Sequence, residues 1–288
     1  MGLEASGTVL AAGPGVEGWR PGDRAMALLT GGGYAELVAV PAGQLMPIPA
    51  GIDLTAAAAI PEAYLTAWLT LRHLTRLAPG EHVLVHAAGS GVGTAAIQIA
   101  RELGAAGVVG TVRTPAKATA VRELGATAIV AADASFADAV RAATGGHGAD
   151  VVVDLVGASY WPETLRCLAV GARVSVVGLV GGSRVEMDLA ALMRLQATVT
   201  ASLLRPRSVE QKAALTAGFA EWAGPRFGDG RLRPLIHATL ALDEVAAAHA
   251  MLEKDISVGK VVLRVVNQDP QSDAIRFSTD PPTSTRNG

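Results

Sequence analysis

The sequence predicts an α/β protein: a doubly wound parallel sheet covered by helices, preceded by a region of short antiparallel strands. Three observations carry this expectation. Residues 83–100 run from an apolar strand (Val83-Leu84-Val85) through a cluster of glycines directly into a helix of small apolar residues. Strand-like and helix-like segments then alternate to about residue 204, the rhythm of right-handed βαβ crossovers. Half of the 288 residues are hydrophobic but only 4% are aromatic, so the core is made of Ala, Val and Leu, as in parallel sheets buried on both faces.

In chain order, residues 1–50 read as strands Ser6–Ala11, Ala25–Leu29 and Tyr34–Val40. They are separated by the turn formers Gly13-Pro14-Gly15, Pro21-Gly22-Asp23 and Gly31-Gly32-Gly33. From Leu54 the pattern becomes an alanine-rich helix, with Ile60, Tyr64, Leu65, Trp68 and Leu69 at helical spacing. The alternating part has strands at His82–Ala87, Val108–Val112, Ala128–Ala131, Asp150–Val156, Arg173–Gly178 and Ala197–Leu204. Its helices fall at Val92–Leu103, Pro115–Gly125, Phe136–Ala143 and Tyr160–Leu168. A further helix starts at Ser208, where Glu210 and Gln211 supply a capped first turn. Strands Leu232–Ala241 and Val261–Val265, around a helix from Asp243 to Lys254, are expected to return to the first domain. The polar stretch Asn267–Gly288 holds Pro270, Pro281 and Pro282 and is expected to be a disordered tail.

A net charge of −2 with scattered basic residues gives no reason to expect a nucleic acid or an anionic membrane surface as partner. The one cysteine, Cys167, excludes a disulfide framework and reads as a small buried hydrophobe. No apolar run reaches the roughly 18 residues of a membrane span, and Met1-Gly2-Leu3-Glu4 is not a signal sequence, so a cytoplasmic protein is expected.

The segment Ala88, Gly89, Ser90, Gly91, Val92, Gly93 between strand and helix is a dinucleotide cradle. Glycines let backbone approach a pyrophosphate, and the amides that open the helix face its charge. The strict G-x-G-x-x-G spacing is broken by Ala88 and Ser90, but the strand before and the helix after supply the context the motif requires. A fold selecting NAD places Asp or Glu about 20 residues further on, at the end of the second strand. Here that place is Arg113, followed by Thr114 and Lys117, which suits the 2′-phosphate of NADPH. Ser90 is not a hydrolase nucleophile, because the flanking glycines that motif needs are Ala88 and Val92. No tyrosine has a lysine four residues on, so the Tyr-Lys pair of short-chain reductases is missing.

These pieces, with Gly2-Leu3-Glu4-Ala5-Ser6-Gly7, Gly31-Gly32-Gly33-Tyr34-Ala35-Glu36, Pro61-Glu62-Ala63 and Leu65-Thr66-Ala67, resemble the zinc-free quinone oxidoreductases of the medium-chain dehydrogenase/reductase superfamily. The resemblance runs from residue 2 to about residue 265. Ser159-Tyr160-Trp161, Gly178–Gly182 and Ser202–Arg205 are similar to the branch of stress-inducible NADPH quinone reductases. It implies a Rossmann domain at 66–228 and an incomplete GroES-like substrate domain made of 1–65 and 229–266, the tail being 267–288. It also implies that Thr66, Gly157, Gly178 and Leu179 lie by the nicotinamide, with Leu203, Leu204 and Arg205 at its other edge. Ala88 to Gly93 would hold the pyrophosphate, and Lys117 the 2′-phosphate.

The superfamily's zinc enzymes have Gly-His-Glu where this chain has Gly2-Leu3-Glu4, and the four-cysteine lobe is absent, so no metal is expected. His73, His82, His86, His147, His237 and His249 show no ligand spacing and read as surface or locally bonded residues. Two departures from the family stand out. An Asn-Tyr pair after the third strand is replaced by Ala131-Ala132, and relatives have roughly fifty further residues ahead of Gly2-Leu3-Glu4. Truncation there would uncover the apolar faces of Val9, Val38 and Val40.

The resemblance implies NADPH-dependent hydride transfer to a quinone or enone, in a cleft between the domains. No side chain stands out as the catalytic acid. Two alternatives stay open: an NADPH-binding but catalytically impaired fragment, and an enoyl-thioester reductase. A homodimer through an edge strand at Val199–Leu204 is expected.

Overall fold

The structure is a computed structural model that describes residues 1–131 and 133–265, and the backbone of 275–278. In chain order the strands are β1 (Glu4–Ala11), β2 (Arg24–Leu28), β3 (Leu37–Ala39), β4 (Leu45–Pro47), β5 (His82–Val85), β6 (Gly107–Val112) and β7 (Thr127–Val130). Then come β8 (Ala149–Asp154), β9 (Leu168–Val176), β10 (Thr198–Ala201), β11 (Ile236–Ala241), β12 (Lys260–Arg264) and β13 (Ile275–Ser278). The α-helices are α1 (Leu54–Ala57), α2 (Pro61–Trp68), α3 (Gly91–Glu102), α4 (Pro115–Glu123), α5 (Ala137–Ala143), α6 (Trp161–Arg166), α7 (Leu189–Leu195), α8 (Val209–Gly228) and α9 (Val245–Glu253). The chain divides into two compact units, one of residues 1–65 with 204–288 and the other of residues 66–203.

The second unit is the doubly wound sheet expected from the sequence. Its order is β10-β9-β8-β5-β6-β7, all parallel, so the chain starts in the middle with β5, winds outward through β6 and β7, then crosses to β8 and on to β10. The direction reverses between β5 and β8, and ligand crevices of open α/β sheets lie at such a point, beyond the strand carboxyl ends. Val83, Leu84 and Val85 of β5 and Val151, Val152 and Val153 of β8 are all buried, as strands covered on both faces must be. One core of this unit gathers Leu84, Val152 and Val174 with Phe136, Tyr160 and Trp161. Pro162 stands at the start of α6, and the expected helix Tyr160–Leu168 accordingly becomes a 3₁₀ turn at Ala158–Tyr160 followed by the shorter α6. Helix α7 was not expected. It is capped by Asp188 and buries none of its residues fully; Leu192 and Leu195 pack half-buried against the core, an apolar face of a single turn that periodicity does not pick out.

The first unit holds a sheet in the order β3-β13-β1-β2-β4, with β1–β2 and β2–β4 antiparallel and β13 running parallel to both β1 and β3. Two expectations are corrected here. Residues 275–278 form a strand instead of disordered tail, and the rest of the expected tail lies outside the described residues. Val9, Val38 and Val40 are 1%, 7% and 4% exposed, packed with Ala25, Ala27 and Leu29, and not uncovered. Strand Tyr34–Val40 shortens to Leu37–Ala39.

Residues 204–228, expected with the cofactor domain, group with the first unit. The reason is packing. A Cβ at Gly43 would stand 2.7 Å from the Ala213 Cβ, so α8 presses directly on the 42–44 turn. The Tyr64 ring meets Phe219 and Phe227 of the same helix at 6.4 and 5.1 Å between centroids. The start of α8 is the expected one: Ser208 and Gln211 exchange side-chain to backbone bonds in a capping box. Parallel strands β11 and β12, with α9 between them, also belong to this unit.

Candidate functional site

Beyond β5 the chain turns at Ala87, whose φ of +45° is a strained value for alanine. The turn is held by Ala88 N–H donating to the Thr111 carbonyl (2.9 Å) and Ser90 N–H donating to the Ala87 carbonyl (2.9 Å). Ser90, which the sequence places at a glycine position of the motif, is the N-cap of α3: its Oγ accepts the Gly93 N–H at 3.1 Å. Gly93 is obligatory by packing, since a Cβ there would lie 2.6 Å from the Ala87 oxygen and 2.7 Å from the Ala88 Cα. Gly110 on β6 serves the same end, because its Cβ would come within 2.7 Å of the Ala88 Cβ. The helix opens on the backbone amides of Gly91 and Val92.

Across the cradle, α4 starts with Thr114 as its N-cap and Pro115 in its first turn. Lys117 lies in that turn, 7% exposed, with its stem along Gly89: a Cβ on Gly89 would meet Lys117 Cδ at 3.2 Å and its Cβ at 3.3 Å. Arg113 and Thr114 follow β6 directly and are exposed. The glycine turn, Arg113, Thr114 and Lys117 thus gather at the carboxyl ends of neighbouring strands β5 and β6.

On the other side of the switch point, Gly157 follows β8 with φ +84°, and Gly178 and Leu179 follow β9. Leu203 lies past the end of β10 and is 69% exposed, in a loop and not in the longer strand expected. Thr66 is buried on α2, where its carbonyl accepts the Thr70 hydroxyl at 2.9 Å. Leu204 is buried and groups with the first unit. Ala131, in place of the family's Asn-Tyr pair, gives its carbonyl to the Tyr160 hydroxyl (3.1 Å), and Ala132 lies outside the described residues.

Two buried residues at this end of the sheet were not singled out as site residues. His86 Nε2 is 2.9 Å from the Thr164 hydroxyl and Nδ1 is 3.0 Å from the Thr111 hydroxyl. Thr164 already donates its proton to the Tyr160 carbonyl, so it accepts from His86, and the ring is neutral with its proton on Nε2. Burial pushes the imidazole down to about 4 against the opposing pull of the Asp154 charge. Asp154, the last residue of β8, is itself fully buried. The available signal was a lone carboxylate closing the apolar run Val151-Val152-Val153.

Cys167 is buried, donates to the Thr164 carbonyl and has its thiol pushed up to about 12 by burial, which removes it as a nucleophile. In the first unit, Lys260 pairs with Glu4 at 2.5 Å and Glu4 accepts the Glu62 N–H at 2.9 Å. Burial, then the Glu4 charge, raises the Glu62 carboxyl to about 7. Among the described residues no group of three or more His, Cys, Asp or Glu could hold a metal ion, and no helix is long and apolar enough to cross a membrane.

A Rossmann-type sheet and a GroES-like unit together define the class of medium-chain dehydrogenases and reductases. Family models for the alcohol dehydrogenase GroES-like domain and the zinc-binding dehydrogenase match residues 1–50 and 91–217. The chain is 32% identical over 265 residues to quinone oxidoreductase-like protein 2 homolog of Nematostella vectensis, covering 91% of this chain and 72% of that protein. It is 41% identical over 181 residues to pikromycin polyketide synthase component PikAII of Streptomyces venezuelae, covering 62% of this chain and 5% of that protein. Among solved structures, an NAD-dependent alcohol dehydrogenase superposes with a TM-score of 0.80 at 32% identity, covering 92% of this chain and 82% of that one. A mycobacterial protein complexed with NADPH superposes with a TM-score of 0.80 at 31% identity, covering 91% and 81%. The chain belongs to the medium-chain dehydrogenase/reductase superfamily, on its quinone-oxidoreductase-like branch, and is an oxidoreductase of that superfamily.

Proposed function

We propose that this chain binds NADPH across the carboxyl ends of the six-stranded sheet and reduces a quinone or related conjugated carbonyl without zinc. The observation that carries the reading is the place of Lys117: its stem lines the glycine cradle, beside a strand that is followed by Arg113 and not by a carboxylate. The cradle fits a dinucleotide. Gly89 lets the Lys117 stem lie against the turn, Gly93 lets the helix start pack on Ala87 and Ala88, and the Gly91 and Val92 amides would present positive dipole ends to a pyrophosphate. Lys117, Arg113 and Thr114 would hold the 2′-phosphate. Thr66, Gly157, Gly178, Leu179, Leu203 and Leu204 are assigned to the nicotinamide end.

Bound NADPH supplies the hydride. The chain's own contribution is placement and exclusion of water, which suffices for an acceptor as electrophilic as a quinone, whose oxyanion water can protonate. Leu3 stands where a zinc ligand would be needed, and no metal-ligating group replaces it among the described residues.

A similar solved structure, the JamJ enoyl reductase (27% identity, TM-score 0.79), favours a second reading beside the polyketide synthase relative, reduction of an enoyl thioester by the same hydride chemistry. Purified protein is expected to oxidise NADPH faster with an ortho-quinone than with a crotonyl thioester. The reverse order assigns the thioester, and NADPH binding without turnover on either acceptor assigns a non-catalytic binding protein. We also infer a homodimer, in the cytoplasm, formed through the exposed edge strand β10. Val199 on it, and Val180, Leu189 and Met193 in the same unit, are exposed apolar side chains that a second copy would cover.

A further inference from the structure

Asp154 closes an apolar strand, fully buried, and a carboxyl group in that place costs free energy unless donors satisfy it. Its Oδ1 accepts the N–H groups of Val156 (2.8 Å) and Gly157 (2.9 Å). Its backbone carbonyl accepts those of Val177 (2.7 Å) and Gly178 (3.1 Å) on the next strand's loop. The other carboxylate oxygen, Oδ2, is buried and meets no hydrogen-bond donor of the protein. Such a half-satisfied group calls for an explanation in function or in strain.

The two loops rooted on Asp154 are joined along their length. Gly181 N–H donates to the Val156 carbonyl (2.8 Å), Ala158 N–H to that of Gly182 (3.0 Å) and Ser159 N–H to that of Gly181 (3.1 Å). Nothing larger than glycine fits at 157 or 178: a Cβ on Gly157 would lie 2.7 Å from the Gly182 oxygen, and one on Gly178 would lie 2.7 Å from the Leu155 oxygen. The loops after β8 and β9 therefore form one plate, fixed at its root by a single residue. The plate carries Gly157, Gly178 and Leu179.

We infer that Asp154 is a positioning residue: it holds this plate, and through it the nicotinamide end of the cofactor, without touching the cofactor itself. The inference rests on the dinucleotide reading above. It makes a separable claim, because the adenosine end is held by other strands, β5 and β6.

The test compares two ligands on wild type, Asp154→Ala and Asp154→Asn: NADPH, and adenosine 2′,5′-bisphosphate, which has the 2′-phosphate but no nicotinamide. Asp154→Ala is expected to leave adenosine bisphosphate affinity within about twofold, and to weaken NADPH about tenfold. It is expected to slow single-turnover hydride transfer about 100-fold, the scale set by an ångström of misplacement. Asp154→Asn keeps an acceptor oxygen and should return both readouts to within about threefold of wild type. Equal weakening of the two ligands, no effect on NADPH, or Asn behaving as Ala each overturns the positioning role. Should Asp154→Ala fail to fold, Asp154→Ser, with one short acceptor, carries the same comparison. Wild type that binds neither ligand overturns the dinucleotide reading itself, an outcome distinct from wild type that binds both and variants that do not differ.

Discussion

Replacing Lys117 separates its charge from its stem. The side chain is 7% exposed and its Cβ, Cγ and Cδ would all stand within 3.4 Å of a Cβ on Gly89, so the stem is packing and the ammonium carries the charge at its end. Lys117→Met keeps most of the stem and removes the charge. A hydrogen bond between a charged donor and a phosphate is worth about 1.5–3 kcal/mol, so NADPH should weaken by roughly 10–150-fold. NADH, which lacks the 2′-phosphate, should change by less than about twofold. Lys117→Ala removes three methylenes as well, at about 0.8 kcal/mol each, and should cost about 2 kcal/mol of stability that Met largely retains. Fluorescence titration of the reduced nicotinamide measures both affinities, and urea unfolding measures the stability. Equal loss of NADPH and NADH in Lys117→Met refutes the 2′-phosphate role, and equal stability of the Met and Ala variants refutes the packing of the stem.

The Glu62 carboxyl, raised from 4.5 to about 7, binds a proton in the folded state that the unfolded chain has lost. Its contribution to stability is thus full below pH 4.5 and falls away as pH rises to about 7, by on the order of 3 kcal/mol; Glu62→Gln should abolish this slope in unfolding titrations. His86, lowered to about 4, has the opposite sign: stability rises with pH from about 4 to 6.5, because the unfolded imidazole takes up a proton that the buried one refuses. His86→Phe should lose that rise while stranding the Thr111 hydroxyl it now accepts from, and a rise that persists would exclude His86 as its source. Ending the chain after Val265 removes β13 from between β1 and β3 and leaves two unpaired strand edges. A lower thermal midpoint and concentration-dependent association are expected, and unchanged melting would show that β13 adds nothing to the sheet.

The cradle was legible because its constraints are local. Strand, glycine turn and helix lie within 83–100, and the cation that lines it sits at the start of the following βα unit, so spacing along the chain carried Gly89, Gly93, Arg113 and Lys117. The capped start at Ser208 was local in the same way. Helix α7 escaped because its core contact is one turn long, Leu192 and Leu195 half-buried, and Leu203 fell outside its expected strand because an edge strand with one neighbour can end early.

By itself the sequence determined the fold class and, α7 apart, the order of the alternating elements from β5 to β10, since period-two and period-3.6 apolar patterns and turn residues act over a few neighbours. Only the tertiary structure decided which distant segments share a unit and what each buried polar group does. It grouped α8 with residues 1–65, put a strand from beyond Val265 between β1 and β3, and covered Val9, Val38 and Val40. It also made Asp154, by its carboxylate on one side and its backbone carbonyl on the other, the root of two loops more than 20 residues apart in the chain. The physical reason is the same in each case: burial and hydrogen bonding across a core are satisfied by partners the chain brings together only on folding.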